Sequence, residues 1–372
     1  MRTRTCAWLL AGLLASLAAT ADELVVAHVG PFSGPLGPNG LANLAGGKAC
    51  LAEANDAGGV HGRKLRLVHH DDKYKPDETV RLVREVARRE HPVGFMSLLG
   101  SANVSALLQA RTLEELKVPV VGVTPGADVV RNGNPWFFHV HASDNAQIKR
   151  ILQHLSTVGM GRIAVVYQDL PFGHGGMKYV DEVAPGLKIT ISGRVPVAAG
   201  AEDLRPAAAE LRRSGAQAYV MVLAPNSGIS LVRDARGQGD TTPIYGMSYV
   251  PVASLVEKAG LAHAVGIGLA QTTPNTFSMA SGLVRRFRAA MDKYAPAGTG
   301  QSQLHLIGYL NCRVLLEGVA AAGPNPTPER VRAGLQKVRA DLGGYPIEFG
   351  DGTVGSRYVD IGVVTRDGKL AY

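Results

Sequence analysis

Hydrophobic residues along this chain of 372 residues follow two spacings, one typical of strands and one of helices. Continuous apolar runs such as Ile163–Tyr167 and Ala218–Leu223 indicate strands that are buried on both faces, as in parallel sheets. Other segments repeat apolar residues at helical spacing, as at Val80, Val83 and Ala87. Because the two patterns alternate, the sequence predicts a doubly wound α/β fold.

The same pattern divides the chain into two α/β units, with breaks at His139–Ser143 and at Leu269–Thr273. Strands are predicted at 24–29, 64–70, 93–99, 118–123, 136–140, 162–167, 187–195, 218–223 and 243–246. Helices are predicted at 103–116, 172–184, 203–214, 227–237, 281–294, 302–322 and 327–339, and others begin near Leu41, Pro76 and Asp144. A β segment ends the chain. We interpret this order as two α/β lobes that are joined by several chain crossings.

The first 21 residues have the pattern of an export signal. Arg2 and Arg4 precede an apolar stretch at 6–18, and Ala19-Thr20-Ala21 has the small-x-small pattern after which signal peptidase cuts. The apolar stretch is shorter than the roughly 20 residues that span a bilayer. We therefore expect cleavage after Ala21, a mature chain that begins at Asp22, and a location outside the cytoplasm.

Charge and cysteine content exclude some classes of function. The chain has 39 basic and 31 acidic residues, a net charge of +8, but the basic residues are spread along amphipathic helices and form no nucleic-acid patch. Beyond the signal, only Cys50 and Cys312 remain. We expect two separate buried thiols, although one bridge between them is possible.

Loops that follow the strands are the candidate binding positions, because ligands in open α/β sheets bind beyond the carboxyl ends of the strands. Ser101 and Asn103 begin a predicted helix, whose free N–H groups favour a carboxylate, although simple helix capping explains the same residues. Phosphate-binding, dinucleotide-binding and nucleophile-elbow motifs are incomplete or absent. His69–Asp72 alternate between two strand faces and cannot converge on one metal. We expect no enzyme activity, metal or cofactor.

Four motifs resemble one protein family over the mature chain and in the same order. They are Val29-Gly-Pro-Phe-Ser-Gly-Pro, Ala54-Asn-Asp-Ala-Gly-Gly-Val-His-Gly-Arg-Lys-Leu, Arg162-Ile-Ala-Val-Val-Tyr-Gln-Asp-Leu-Pro-Phe-Gly and Asp341-Leu-Gly-Gly-Tyr-Pro-Ile-Glu-Phe. The chain thus resembles the type I periplasmic solute-binding proteins, and within them the branched-chain amino acid (Leu/Ile/Val) binding proteins of ABC importers.

The resemblance implies two Rossmann-like lobes that close by a hinge motion over a ligand in the cleft between them. It implies an N-terminal lobe of residues 22–141 and 273–348, and a C-terminal lobe of residues 142–272 and 349–372. It also implies a monomer in the periplasm that, in its closed liganded form, docks on a permease in the inner membrane.

The resemblance also implies which positions contact the ligand. In the first lobe, Asn39 stands where the family has a tyrosine. In the second lobe, Phe172 is placed to cover an apolar side chain, although a core aromatic at a helix start explains it equally. The remaining matched positions are Ser101, Asn103 and Ser105 at a helix start, and Thr124, Gly126 and Asp128 after the fourth strand.

One matched position departs from the family. Amino acid binders of this kind place an acidic residue after the seventh strand to pair with the ligand's ammonium group, whereas this chain has Ser248. A buried ammonium without a charge partner costs several kcal/mol. Either Asp128 supplies the missing charge, or the ligand is a small aromatic or aliphatic carboxylate, or an amide-like compound, without that group. We favour the second interpretation and keep an amino acid as the alternative.

The predicted function is ligand binding for an importer. A sensor of the same fold, which reports the ligand to a membrane partner, would use the same cleft. A hydrolase would need a nucleophile and a base within hydrogen-bond reach, and no pattern in the sequence indicates such a pair.

Overall fold

A computed structural model describes residues 23–34, 36–124, 128–131 and 133–372 of the chain. The predicted export signal and Gly126 lie outside these ranges, and so does the side chain of Thr124, whose backbone ends a strand. The strands are β1 Leu24–Gly30, β2 Leu65–Asp71, β3 Gly94–Leu99, β4 Val120–Thr124, β5 Phe137–Phe138, β6 Arg162–Gln168, β7 Thr190–Val197, β8 Ala218–Val222, β9 Ile244–Gly246, β10 Gly268–Gln271, β11 Arg339–Asp341, β12 Pro346–Glu348, β13 Asp360–Val364 and β14 Leu370–Ala371.

Helices alternate with these strands over most of the chain. They are α1 Gly37–Asp56, α2 Pro76–Glu90, α3 Ser101–Gln109, α4 Thr112–Leu116, α5 Asp144–Thr157, α6 Pro171–Val183, α7 Arg205–Arg213, α8 Pro225–Gly237, α9 Val252–Ala259, α10 Leu261–Ala264, α11 Gly282–Tyr294, α12 Gln303–Ala321 and α13 Pro328–Lys337. Short 3₁₀ helices lie at Asp128–Val130 and Pro185–Leu187.

Two separate sheets give the fold its two lobes. The first has the order β2-β1-β3-β4-β5, and all its pairings are parallel. The second has the order β14-β13-β10-β9-β8-β6-β7, in which β6 to β10 pair in parallel and β13 joins β10 in antiparallel orientation. The predicted α/β class with two parallel-sheet lobes is therefore confirmed.

The chain returns to the first sheet after β10. Helices α11, α12 and α13 contribute Phe287, Leu310 and Leu335 to one buried core together with Val26 of β1 and Cys50 of α1. The chain then leaves again, since β13 and β14 extend the second sheet. Three segments consequently connect the lobes: one before α5, one after β10 and one after β12.

Tyr345 ties these connecting segments together. Its buried hydroxyl lies 3.0 Å from the carbonyl oxygen of Val140 in the first segment and 3.0 Å from that of Thr272 in the second. The third segment pairs with the first, because the N–H of Gly355 donates to the carbonyl of His139 at 2.9 Å. The connection is therefore built as one hydrogen-bonded unit.

Cys50 and Cys312 form a disulfide, so our expectation of two separate thiols is wrong. Helices α1 and α12 approach backbone to backbone, because glycines line the contact. A Cβ on Gly46 or on Gly308 would come within 1.9 Å of a carbonyl oxygen of the opposite helix. This approach brings the two cysteine Cα atoms to 6.3 Å, within the usual range for a bridge.

The predicted helix at 103–116 is also wrong in one respect, since it is two helices, α3 and α4. Arg111 between them has a φ of 50°, in the left-handed region, and this residue ends the first helix. The aromatic strand predicted at 136–140 is shorter, with only Phe137–Phe138 paired in the sheet. The other predicted elements are present, with ends that differ by a few residues.

Candidate ligand site between the lobes

Helix α3 begins without a side-chain cap. Its N-cap residue is Gly100, at a φ of 97°, and none of the described side chains accepts a capping hydrogen bond from the first N–H groups of the helix. The ring of Tyr74 lies over this start so closely that a Cβ on Gly100 would be 2.2 Å from a ring carbon. Ser101 is half-buried at the first helical position. Free N–H groups and the helix dipole make this end suited to an anionic group.

A buried carboxylate holds the first turn of α3 in place. Asp72 follows β2 and accepts from the hydroxyl of Thr79 at 2.8 Å, the N–H of Tyr74 at 2.9 Å and Nδ2 of Asn103 at 3.1 Å. Burial raises the pKa of Asp72, and these three donors act in the opposite direction. Asn103 is itself buried, and its Oδ1 has no partner among the described residues. The amide of Asn103 therefore connects the start of α3 to the buried carboxylate of Asp72.

The predicted site residue Asp128 lies where the lobes meet. It begins the 3₁₀ helix that packs against α3 of the first lobe and α6 of the second. Its carboxylate accepts from the N–H of Asn145, in the first turn of α5, at 2.9 Å. Ser143 caps the next N–H, that of Ala146, at 3.2 Å. Asp128 and Ser143 thus share the capping of α5.

Arg131 follows this 3₁₀ helix and brings a positive charge into the same region. Its Nη2 donates to the carbonyl of His141 at 2.7 Å, whereas its buried Nε and Nη1 have no partner among the described residues. Burial lowers the pKa of this guanidinium, and the charges of Asp128 and Asp144 counteract part of that effect. Burial and then the charge of Arg131 lower the pKa of His141 to about 3, so this imidazole is neutral at physiological pH.

Asp144, at the first position of α5, is a second buried carboxylate. Burial and then the charge of Asp128 raise its pKa to about 7, against the opposing effect of Arg131. Its Oδ1 lies 3.5 Å from Nε2 of Gln147, and Oε1 of the same glutamine accepts from the N–H of Ser248 at 2.9 Å. Gln147 therefore connects the loop at Ser248 to Asp144.

Phe172, near the start of α6, contacts the hydrophobic cores of both lobes. Its ring meets that of Tyr249 edge to face, with the centroids 6.4 Å apart. The hydroxyl of Tyr249 is buried without a partner among the described residues, and burial, then the charge of Asp144, raises its pKa. An apolar surface thus adjoins the polar groups.

Several of the sequence-predicted residues therefore lie on elements that meet between the lobes. They are Ser101, Asn103 and the half-buried Ser105 on α3, Asp128 on the 3₁₀ helix, Phe172 on α6, and Ser248 after β9. Asn39 makes its contacts within its own stretch of chain, where its N–H donates to Leu36 and its carbonyl accepts from Asn43. Gly126 and the side chain of Thr124 lie outside the described residues.

Sequence reasoning missed Tyr74, Arg131, Asp144, Gln147 and Tyr249. Asp144 begins a predicted helix, where an acidic residue is ordinary, and Arg131 lies in an irregular segment that no pattern marks. A usable signal was the set of polar residues at the predicted break between the units, since ligands often bind where α/β units meet.

The described residues hold no group of three or more His, Cys, Asp or Glu side chains arranged to bind a metal ion. None of the helices described is both long and apolar enough to cross a membrane.

Comparison with known proteins identifies the family. Residues 23–369 match the family described as "Periplasmic binding protein". An extracellular ligand-binding receptor from Verminephrobacter eiseniae superposes with a TM-score of 0.86 at 34% identity, covering 94% of this chain and 100% of that one. The Leu/Ile/Val-binding protein homolog 7 of Brucella melitensis is 25% identical over 97% of this chain and 93% of its own.

The Leu/Ile/Val-binding protein of Escherichia coli is 28% identical over 68% of this chain and 69% of its own. These relatives are solute-binding proteins and not enzymes, and their family implies a periplasmic location. The chain belongs to the periplasmic binding protein family and has its type I fold.

Proposed function

We propose that this protein is the substrate-binding component of an ABC importer, and that it binds an amino acid or a small aromatic or aliphatic carboxylate between its lobes. Relatives named for binding leucine, isoleucine and valine support this role. In this proposal, residues 22–141 with 273–348 form one lobe, and residues 142–272 with 349–372 form the other.

The guanidinium of Arg131 is the observation that carries the ligand class. It has two buried nitrogens without a described partner, and a buried donor left unpaired costs about 1–3 kcal/mol or more when it is charged. A carboxylate matches the planar fork of an arginine. The uncapped start of α3, which packs against the 3₁₀ helix that precedes Arg131, offers further donors to the same anion.

The contacts between the lobes support hinge closure. Asp128 binds α5 across the lobes, and Phe172 contacts both cores, so both interactions depend on how far the lobes are closed. The three connecting segments, held by Tyr345, are short and paired, as a hinge requires. A ligand that contacts both lobes would favour the closed form.

The remaining parts of the proposal concern the cell. We expect export by the signal at 1–21, and the disulfide between Cys50 and Cys312 supports an oxidising compartment. In the closed form, the monomeric protein would deliver its ligand to a permease in the inner membrane.

A thermal-shift and calorimetric screen of refolded, ligand-free mature protein tests the ligand class. The probes are L-leucine, L-phenylalanine and the corresponding acids without the amine, 4-methylpentanoate and 3-phenylpropanoate. A ligand at 100 times its Kd stabilises the folded state by about 2.7 kcal/mol, which is readily measured. We expect Arg131→Met to lower the affinity for every carboxylate that binds by at least about tenfold.

Arg236→Met is the matched control, since Arg236 is also partly buried but donates to the carbonyl of Asp240 in the second lobe. Carboxylate affinity that is equal in the Arg131→Met variant and the wild type would contradict the proposed role of Arg131. A protein that binds none of the four probes would contradict the proposed ligand class.

A further inference from the structure

Asp144 is a buried charge that the fold leaves poorly satisfied. The residue is only 5% exposed, and its one described side-chain hydrogen bond, from Gln147, is long at 3.5 Å. No ion pair of the described residues includes it, and the positive charge that acts on it is that of Arg131, although a buried carboxylate is normally paired or well hydrogen-bonded. The side chain therefore has acceptor capacity that the described residues do not use.

The helix start does not explain this residue. An acidic residue in a first turn commonly caps the helix or interacts with its dipole. Here the N–H groups of Asn145 and Ala146 are bound by Asp128 and Ser143 instead. Asp144 is thus free of the usual structural role at its position.

The charges around Asp144 indicate the sign of the ligand group that would bind it. Asp128 and Asp144 are acids, which are negative when ionised, and Arg131 is positive; these three groups influence one another through the buried region. Tyr249, His141 and Gln147 add dipoles but no charge at neutral pH. A simple carboxylate would add a third negative group, whereas a ligand that also carries an ammonium would supply the second positive one.

We propose that Asp144 receives the protonated amine of the ligand, and that the ligand is therefore an amino acid and not a carboxylate alone. The proposal rests on the proposed function and makes it more specific. It assigns the ammonium to Asp144 and not to Asp128, whose carboxylate caps α5. Gln147 orients the acid and links it to the loop at Ser248, so Ser248 needs no charge of its own.

The test compares amine preference in wild type and variants. Calorimetry gives the affinity ratio of L-leucine to 4-methylpentanoate, and of L-phenylalanine to 3-phenylpropanoate, for the pair that binds. We expect the wild type to favour the amino acid by at least about tenfold, because a buried charge pair depends on both partners. Asp144→Asn should reduce that ratio to within about threefold of unity.

Asp240→Asn is the matched control, because Asp240 is also buried but binds Tyr219 and Thr242 at the far side of the second lobe. It should keep the ratio of the wild type. The acids without the amine, 4-methylpentanoate and 3-phenylpropanoate, distinguish a specific loss of amine recognition from general damage to the binding site. The affinity of Asp144→Asn for the acid that binds should equal that of the wild type.

Three results would overturn the inference. The ratio could be unchanged in Asp144→Asn, it could be lost only in Asp128→Asn, or the wild type could bind the acid as well as the amino acid. In each of these cases the proposed function stands. A wild-type protein that binds none of the four probes contradicts the inference and the proposed ligand class together.

Discussion

Asp72 and Asp144 are both buried carboxylates beside the start of a helix, and the fold treats them in opposite ways. Asp72 is 1% exposed and accepts three hydrogen bonds that join β2, α2 and α3. Asp144 is 5% exposed and, among the described residues, its side chain has one long hydrogen bond, with Gln147. Burial is similar, so the difference lies in the number of donors that the protein supplies.

That difference separates a structural carboxylate from one available to a ligand. A buried polar group that the fold satisfies contributes to a unique packing, whereas an unsatisfied one destabilises the protein until a partner arrives. Removing Asp72 should therefore damage the fold. Removing the charge of Asp144 should relieve the fold and damage binding.

Asp72→Ala should have the largest effect on stability. The substitution leaves the N–H of Tyr74 and the amide of Asn103 without their acceptor in a buried place, and the hydroxyl of Thr79 keeps only its longer contact with the carbonyl of Lys75. We expect the free energy of unfolding to fall by about 3–4 kcal/mol, measured by urea denaturation. A loss below about 1 kcal/mol would show that water replaces the carboxylate easily.

Asp144→Asn should act in the opposite direction on the ligand-free protein. The folded pKa of about 7 exceeds the unfolded value of 3.8, so the folded state binds more protons and its stability falls as pH rises from about 4 to about 7. The neutral asparagine avoids this loss and should stabilise the protein by about 2–3 kcal/mol at pH 8, and by less at pH 5.

Denaturation of the ligand-free wild type and of Asp144→Asn at pH 5 and pH 8 checks the sign of the stability change. Asp240→Asn is the control, because hydrogen bonds to Asp240 lower the pKa of this carboxyl despite its burial, and its loss should destabilise the protein at pH 8. If Asp144→Asn destabilised the ligand-free protein equally at the two pH values, Asp144 would have a structural role like that of Asp72.

Asn103→Ala should have a smaller effect that touches both stability and binding. The variant loses one hydrogen bond to Asp72, which keeps its other two donors, the N–H of Tyr74 and the hydroxyl of Thr79. We expect about 1–2 kcal/mol less stability in denaturation, and a loss of carboxylate affinity of about 1–3 kcal/mol in calorimetry if the amide binds the ligand. Unchanged affinity would remove Asn103 from the binding site and leave it a structural link.

Asp128→Asn should change stability least. Asparagine can still accept from the N–H of Asn145, so only the interaction of the charge with the dipole of α5 is lost. We expect the free energy of unfolding to fall by about 0.5 kcal/mol, measured by thermal denaturation, and the affinity for the amino acid to be several-fold weaker. Abolished binding of the amino acid alone would move the ammonium partner from Asp144 to Asp128.

The fold was largely predictable from the sequence, because it depends on patterns that extend over many residues. Continuous apolar strands and amphipathic helices in strict alternation leave few other arrangements. The errors arose where a single residue or a single tertiary contact determines the local structure. Arg111 divides a helix through a left-handed backbone, and the disulfide forms because glycines let α1 and α12 touch.

The site was predictable only in part. The helix-start argument gave Ser101 and the family resemblance gave Asp128 and Phe172, and the structure brings these residues to the same region. Arg131 and Asp144 were not found, since their importance lies in missing partners, and a missing partner is visible only once neighbours are known. The segment His69–Asp72 showed its polarity in the sequence but not that Asp72 alone turns inward.

A crystal structure of the mature protein grown with L-leucine, or with L-phenylalanine if that binds more tightly, tests the central claim most directly. The account predicts closed lobes with the amino acid between them, its carboxylate at Arg131 and the start of α3, and its amine within about 3 Å of Asp144. An amino acid bound in the cleft with its amine on another acceptor, and with Asp144 still unpaired, would contradict it.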